Sequence, residues 1–191
     1  ADLPYGTTDC SWDTVIPLDL LWVEYERIIK SNAVIALFGS EPFSTKLRMS
    51  NFEAYRYDIY WEKTKASLYQ HAKNRPMKIV ETISIFSKAK WGYVSQVKNR
   101  MKYFPQGVVS SGIKTVTKNY SAGRTTGKRP NQIGKEYESF TGFPNDVLKY
   151  PNIIGRNAIH PTQKPVELLE YLIKTYTLEK ELVLDNTMGV G

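Results

Sequence analysis

Apolar residues recur at helical spacing over residues 17–30, where Leu20, Leu21, Ile28 and Ile29 are joined by Val23 and Tyr25, and Pro17 suits a first turn. Ser31 and Asn32 end this predicted helix. The next six residues, Ala33 to Phe38, form a continuous apolar run of strand length, as expected of a strand covered on both faces, and Gly39-Ser40 follows it. A second helix is predicted over 41–50 and further strands over 57–61 and 79–87, the last rich in β-branched residues. Near the end, Pro165 suits the first position of a helix whose apolar face comprises Val166, Leu169, Leu172, Ile173 and Tyr176. Leu182 to Leu184 is a short predicted strand. Alternating strands and helices predict an α/β sheet.

Composition modifies this picture chiefly between residues 88 and 150. The 191 residues carry a net charge of +7 and are 41% hydrophobic, which fits a globular domain of ordinary size with an insertion. Between Thr82 and Lys135 there is no acidic residue, but 11 of the 26 basic ones lie there. The remaining 15 basic residues face 19 acidic ones, so the whole basic excess belongs to one segment. Aromatic residues such as Trp91, Tyr93, Tyr103, Phe104 and Tyr120 are interspersed; they suit either a small core of that segment or base contacts. The loop from Gly123 to Pro130 suits ordering on a polyanion. Such a segment reads as a face for nucleic-acid phosphates, with Lys98, Arg100, Lys102, Lys118, Arg124, Lys128 and Arg129 as candidate contacts. The expected organisation is a core over 1–87, the basic insertion over 88–150, and a return to the core over 151–191.

Other classes are disfavoured. No apolar run approaches the ~20 residues of a membrane span, and no signal peptide is expected. The single Cys10 excludes an internal disulfide and fits a reducing cytoplasm, and with two His a Cys/His metal site is not expected.

Candidate chemistry begins at Asp2-Leu3-Pro4-Tyr5. A carboxylate and a carbonyl held by a proline-stiffened turn can accept the two N–H groups of an amine, and an aromatic beside them can stack a flat ring. Alone, the stretch reads equally as an ordinary Pro-Tyr-Gly turn. Asp185-Asn-Thr-Met-Gly-Val-Gly191, a glycine-containing turn after a predicted strand, allows close backbone approach to a nucleotide-like ligand, again a weak signal by itself.

Taken in order, Asp2 to Tyr5, His160-Pro-Thr-Gln-Lys-Pro165 and Asp185-x-x-Met-Gly-x-Gly191 resemble the DNA N4/N6 amino-methyltransferases, in the group whose catalytic motif precedes the cofactor motif. Trp12-Asp13, the strand end at Phe38 to Ser40, Tyr60 to Lys63 and Glu81 to Lys88 also look like family segments. The basic stretch falls where that family places its target-recognition region, and the chain looks most like the solitary methylases of phages and prophages.

The resemblance implies a Rossmann-like methyltransferase sheet with a basic target-recognition insertion, acting on double-stranded DNA with S-adenosylmethionine as methyl donor. Asp2 and the Leu3 carbonyl would hold the target amine, Pro4 would fix their geometry, and Tyr5 would stack the flipped base. Asp185, Met188, Gly189 and Gly191 would cradle the cofactor, and Thr162 with its neighbours His160 and Lys164 would flank its methionine end. An acid at the first motif position is the usual adenine-N6 form. Cytosine N4, an RNA amine and a non-catalytic DNA-binding relative stay open as alternatives, as does a homodimer. Leu3 replaces the usual Pro with the carbonyl retained. Thr187 stands where the family usually has Phe, and looser packing around the cofactor is expected there. The strand before Asp2, the helix after Gly191 and the later ribose-binding acid lie outside the sequence, so the sheet reads as short at both ends, and the chain alone is expected to bind the cofactor poorly.

Overall fold

A computed structural model describes residues 1–92, 97–118, 132–153, 159 and 163–189, and the chain divides into two compact units, 1–104 with 145–191 and 105–144. Among the predicted site residues, Arg124, Lys128, Arg129, His160, Thr162 and Gly191 lie outside the described residues.

The first unit holds α1 (Leu18–Ile28), β1 (Ile35–Gly39), α2 (Phe43–Ser50), β2 (Tyr55–Ser67), β3 (Lys78–Phe86), β6 (Val147–Lys149) and α3 (Val166–Tyr176). Its strands form one sheet in the order β1-β3-β2-β6. β3 runs antiparallel to both β1 and β2, with Phe38 opposite Ile83 and Trp61 opposite Glu81, whereas β6 runs parallel to β2. The class is mixed α/β, and two of its three pairings are antiparallel. Ala1 lies beside β1: its carbonyl accepts the Phe38 N–H at 3.0 Å and its amino group donates to the Ala36 carbonyl at 2.9 Å.

Alternation along the strands builds the core. Ile59 and Trp61 on β2 and Ile83 and Ile85 on β3 face inward, where they meet Phe38, Leu168, Leu172 and Tyr176. A second cluster on the other face joins Leu3, Leu21, Trp22, Leu37, Phe43, Leu47 and Phe86. Leu3 therefore anchors the Asp2 segment by burial.

Three predicted features differ. In α3 the buried stripe is Leu168, Leu172, Thr175 and Tyr176, with Val166 and Ile173 exposed, so the apolar face is rotated from the predicted one. The Thr175 hydroxyl donates to the Tyr171 carbonyl at 2.7 Å, which allows a polar residue to occupy the core position. In α1 the buried residues are Leu21, Trp22 and Tyr25, while Leu20, Val23 and Ile28 are exposed. Leu182 to Leu184 are not in a strand, and Leu182 is 99% exposed. A strand needs a neighbour to pair with, and none of the described residues pairs with these three.

The second unit contains the antiparallel pair β4 (Val109–Thr115) and β5 (Glu136–Thr141). At its base the chain turns at two glycines: a Cβ on Gly142, whose φ is +78°, would lie 2.4 Å from the Gly107 carbonyl oxygen. Of the compositionally basic segment, residues 105–144 form this unit, whereas Ala89, Met101 and Leu148 are buried in the first. Among the described residues no helix is long and apolar enough to cross a membrane, and no group of three His, Cys, Asp or Glu side chains is placed to hold a metal ion.

Candidate active site

Asp2 follows the backbone pairing with β1, which places its carboxylate beside the end of that strand. Oδ1 accepts the Tyr5 hydroxyl at 2.7 Å and Oδ2 accepts Lys164 Nζ at 2.5 Å. Pro4 sits between Asp2 and Tyr5 in sequence, and the turn brings the Tyr5 hydroxyl to the Asp2 carboxylate. One face of Tyr5 stacks on Phe43, with centroids 5.1 Å apart and planes inclined by 25°. Burial, then the charges of Asp2 and Glu81, push the Tyr5 phenol far above its ordinary value, so its hydroxyl remains a donor to Asp2. Among the described residues no donor reaches the Leu3 carbonyl, which remains an acceptor.

The following loop is held by Asp13. Its Oδ1 accepts the Gly6 N–H at 2.9 Å, and its Oδ2 accepts the N–H groups of Thr7 and Thr8 and the Thr8 hydroxyl at 2.8–2.9 Å. Burial opposes the charge, but these hydrogen bonds outweigh it and hold the carboxyl below its usual range. Gly6 adopts φ +65°, and a Cβ there would meet Val15 at 2.8 Å, so a tight approach and a left-handed turn both favour glycine.

Lys164, immediately before α3, reaches across the inward face of the sheet. Its Nζ lies 5.2 Å from the Phe38 ring centroid and 3.7 Å from Glu81 Oε2. Glu81 in turn accepts Lys63 Nζ on Oε1 at 2.5 Å. The result is a row of alternating charges, Lys63, Glu81, Lys164 and Asp2, with side-chain exposures of 8%, 15%, 10% and 23%. Charges this far from water persist because each has an opposite neighbour. Glu81 Oε2 is buried and has no hydrogen-bond partner among the described residues.

The Asp185 turn adjoins the same aspartate. Asp185 Oδ1 accepts the Thr187 N–H at 3.0 Å and the Thr187 hydroxyl at 3.1 Å, and the Thr187 Oγ1 accepts the Asp2 N–H at 2.8 Å. Asn186 Oδ1 accepts the Tyr25 hydroxyl at 2.9 Å and fastens the turn to α1. Met188 is exposed, and Gly189 has φ +70° with no heavy atom of the described residues, chain neighbours aside, within 4 Å of where a Cβ would stand. The Thr187 position thus carries a hydrogen bond that a Phe there, as the resemblance leads one to expect, could not make.

Of the candidate cations, Lys98, Arg100 and Lys118 are exposed. Lys102 is ion-paired with Glu181 and largely covered. The sequence reading assigned no role to Lys63, Glu81 or the Thr187 hydroxyl. A signal for the first two was present: Lys63 extends the inward alternation of Ile59 and Trp61, and Glu81 precedes Ile83 and Ile85 on the same face. A charge on an inward strand position demands an opposite charge nearby.

A family model described as DNA methylase, of the N6/N4 type, matches residues 18–191. A search of curated proteins finds no match. Among solved structures the chain is similar to that of an M1.HpyAVI–SAM complex, with 18% identity and a TM-score of 0.46 over 93% of this chain and 64% of that one. The chain thus spans just under two thirds of that protein's crystallised length. With a family match over nearly its whole length, the chain belongs to the N6/N4 DNA methylase family.

Proposed function

We propose that this chain carries the catalytic site of a DNA methyltransferase that moves a methyl group from S-adenosylmethionine to the exocyclic amine of a flipped base, adenine N6. The observation that supports it most is the 2.8 Å hydrogen bond from the Asp2 N–H to Thr187 Oγ1. It joins the segment suited to holding an amine to the segment suited to holding the donor, so the two reactants are gathered at one place without relying on a distant contact. Such positioning is where a transfer of this kind gains much of its rate. The sheet is read as part of a Rossmann-like methyltransferase sheet, with 88–150 as its DNA-recognition insertion and residues 1–87 and 151–191 as the core.

The residues fit the cofactor. The Asp185 to Gly189 turn offers a carboxylate and a left-handed glycine that no other described residue crowds. When bound, S-adenosylmethionine supplies an electrophilic methyl on a sulfonium, which the chain itself cannot provide. The chain's own task is to make the amine nucleophilic. Its lone pair is delocalised into the base ring, and the Asp2 carboxylate and Leu3 carbonyl, each accepting one N–H, favour return of that density to nitrogen. Pro4 restricts the backbone that aims both acceptors. Since Phe43 covers one face of Tyr5, stacking of the base falls to the other. The acid at position 2 supports adenine over cytosine, and the basic residues of 88–150 support a polyanionic substrate.

The test is to incubate the full-length protein with methyl-labelled S-adenosylmethionine and either duplex DNA or RNA, and to identify the labelled nucleoside. Label in N6-methyladenine of DNA is the expected outcome. Label in N4-methylcytosine or in RNA reassigns the substrate, and binding of DNA without label makes the protein a non-catalytic relative.

A further inference from the structure

Each oxygen of the Asp2 carboxylate already accepts one hydrogen bond from the protein, which leaves a lone pair for an N–H of the amine but weakens the acceptor. Tyr5 takes Oδ1, and Lys164, a full positive charge at 2.5 Å, takes Oδ2. A carboxylate clamped by an ammonium is a weakened acceptor, because the cation draws off the charge that an N–H of the base would meet. The structure also supplies a second partner for that ammonium. Glu81 Oε2 is buried, lacks a hydrogen-bond partner among the described residues and lies 3.7 Å from Lys164 Nζ. Closing that gap to the ~2.8 Å of a charge-assisted hydrogen bond takes a movement of about 1 Å, small for a side chain on four flexible methylenes. Lys63 holds the other oxygen of Glu81, so the receiving carboxylate is fixed in place and charged. Phe38, beneath the ammonium, offers its ring face close to the Asp2-bound position.

We propose, on the reading of Asp2 given above, that Lys164 is a positioning residue that guards the Asp2 carboxylate and is handed to Glu81 Oε2 when the target amine enters. Before the amine arrives, the pair keeps Asp2 compensated in its partly covered setting. As an N–H of the amine approaches Oδ2, the ammonium moves to Glu81, and the charge on Asp2 becomes available to the nitrogen. No proton changes owner in this exchange. Its chemical consequence is selectivity: a ligand that offers no N–H to Oδ2 does not draw Lys164 away, and Asp2 stays clamped.

The hand-off makes a prediction about paired substitutions that a merely structural role does not. Glu81→Gln removes the receiving charge but keeps shape and leaves an oxygen for Lys63, so Lys164 stays on Asp2. We expect kcat to fall by about tenfold or more, equivalent to ~1.4 kcal/mol per decade, with KM for DNA within about twofold. Lys164→Gln alone frees Asp2 and costs only a few-fold. In the double variant E81Q/K164Q the clamp is gone, so kcat should rise above that of E81Q to about the K164Q value, a gain of function from a second substitution. Thermal unfolding of each full-length variant identifies any that fail to fold. Should E81Q not fold, Glu81→Asp, which withdraws the carboxylate by one methylene, replaces it and should show a smaller loss with the same rescue. An E81Q enzyme at full rate, or a double variant slower than E81Q, overturns the hand-off while leaving the methyltransferase reading intact. Wild-type protein that transfers no methyl to any nucleic acid overturns that reading, and the hand-off with it.

Discussion

Strands in the two units use similar residues in opposite ways. Along β3, Ile83, Ser84, Ile85 and Phe86 are all buried, whereas every residue of β4 is exposed, including Val109 and Ile113. β5 likewise shows Tyr137 and Phe140 to solvent. Among the described residues this pair buries little apolar surface, and a two-stranded pair of that kind is marginal in water, whereas a strand between two neighbours and beneath helices is not. The charges differ too. The first unit holds Lys63, Glu81, Lys164 and Asp2 as a covered, compensated row, while residues 105–144 contain six basic residues against two acidic ones. The first unit holds its charges in compensated pairs, and the second carries an excess of one sign.

The comparison is broken most forcefully from the core side. Leu168→Ala, at a fully buried site where α3 meets the sheet, should cost about 3 kcal/mol by denaturant unfolding, and a loss below ~1 kcal/mol would show that this contact is loosely packed. Asp13→Asn should cost about 2 kcal/mol, because a neutral amide cannot match a carboxylate that accepts four hydrogen bonds. Its pH dependence has a definite sign. The folded-state value lies below the ordinary carboxylate value, so the stabilisation is complete above about pH 4 and is lost as the pH falls through the folded value. The variant should therefore lose part of the wild type's acid sensitivity, which urea unfolding at pH 7 and pH 3 would measure.

Thr187→Val should cost about 1 kcal/mol and lower methyl transfer several-fold, since the Asp2 N–H loses its acceptor, and Thr187→Ser should recover both. Equal rates for Val and Ser would mean that the hydroxyl does not help set Asp2. At the small end, Ile113→Ser on β4 should change stability by no more than about 0.5 kcal/mol. In the same segment Lys128→Ala with Arg129→Ala should flatten the salt dependence of DNA binding, each lost phosphate contact lowering the log–log slope by about 0.9. An unchanged slope would place both residues off the DNA.

Much of the first unit was legible because its signals are local. The apolar run before Gly39, the β-branched run before Ser87 and the helix after Pro165 each appear close to where the pattern puts them. The rotated faces of α1 and α3 were not legible, because Leu20 and Leu21, or Thr175 and Tyr176, compete for the core at neighbouring positions and only tertiary packing chooses. Leu182 to Leu184 show the same limit for strands, since an apolar triplet does not specify a partner. In the site, Asp2, Tyr5, Lys164 and Asp185 could be picked out singly. That Lys164 reaches Asp2 across 162 residues, and that Thr187 ties Asp185 to it, depends on chain crossings that spacing does not encode.

The measurement that bears most directly on the central claim is a paired one on Asp2→Ala in the full-length protein: methyl transfer from labelled S-adenosylmethionine, and DNA affinity at the same salt. If Asp2 acts on the amine, transfer falls by about 10³-fold or more while affinity stays within a few-fold, because the residues proposed to contact phosphates are other ones. Affinity lost in step with activity, or transfer that survives, would contradict the account.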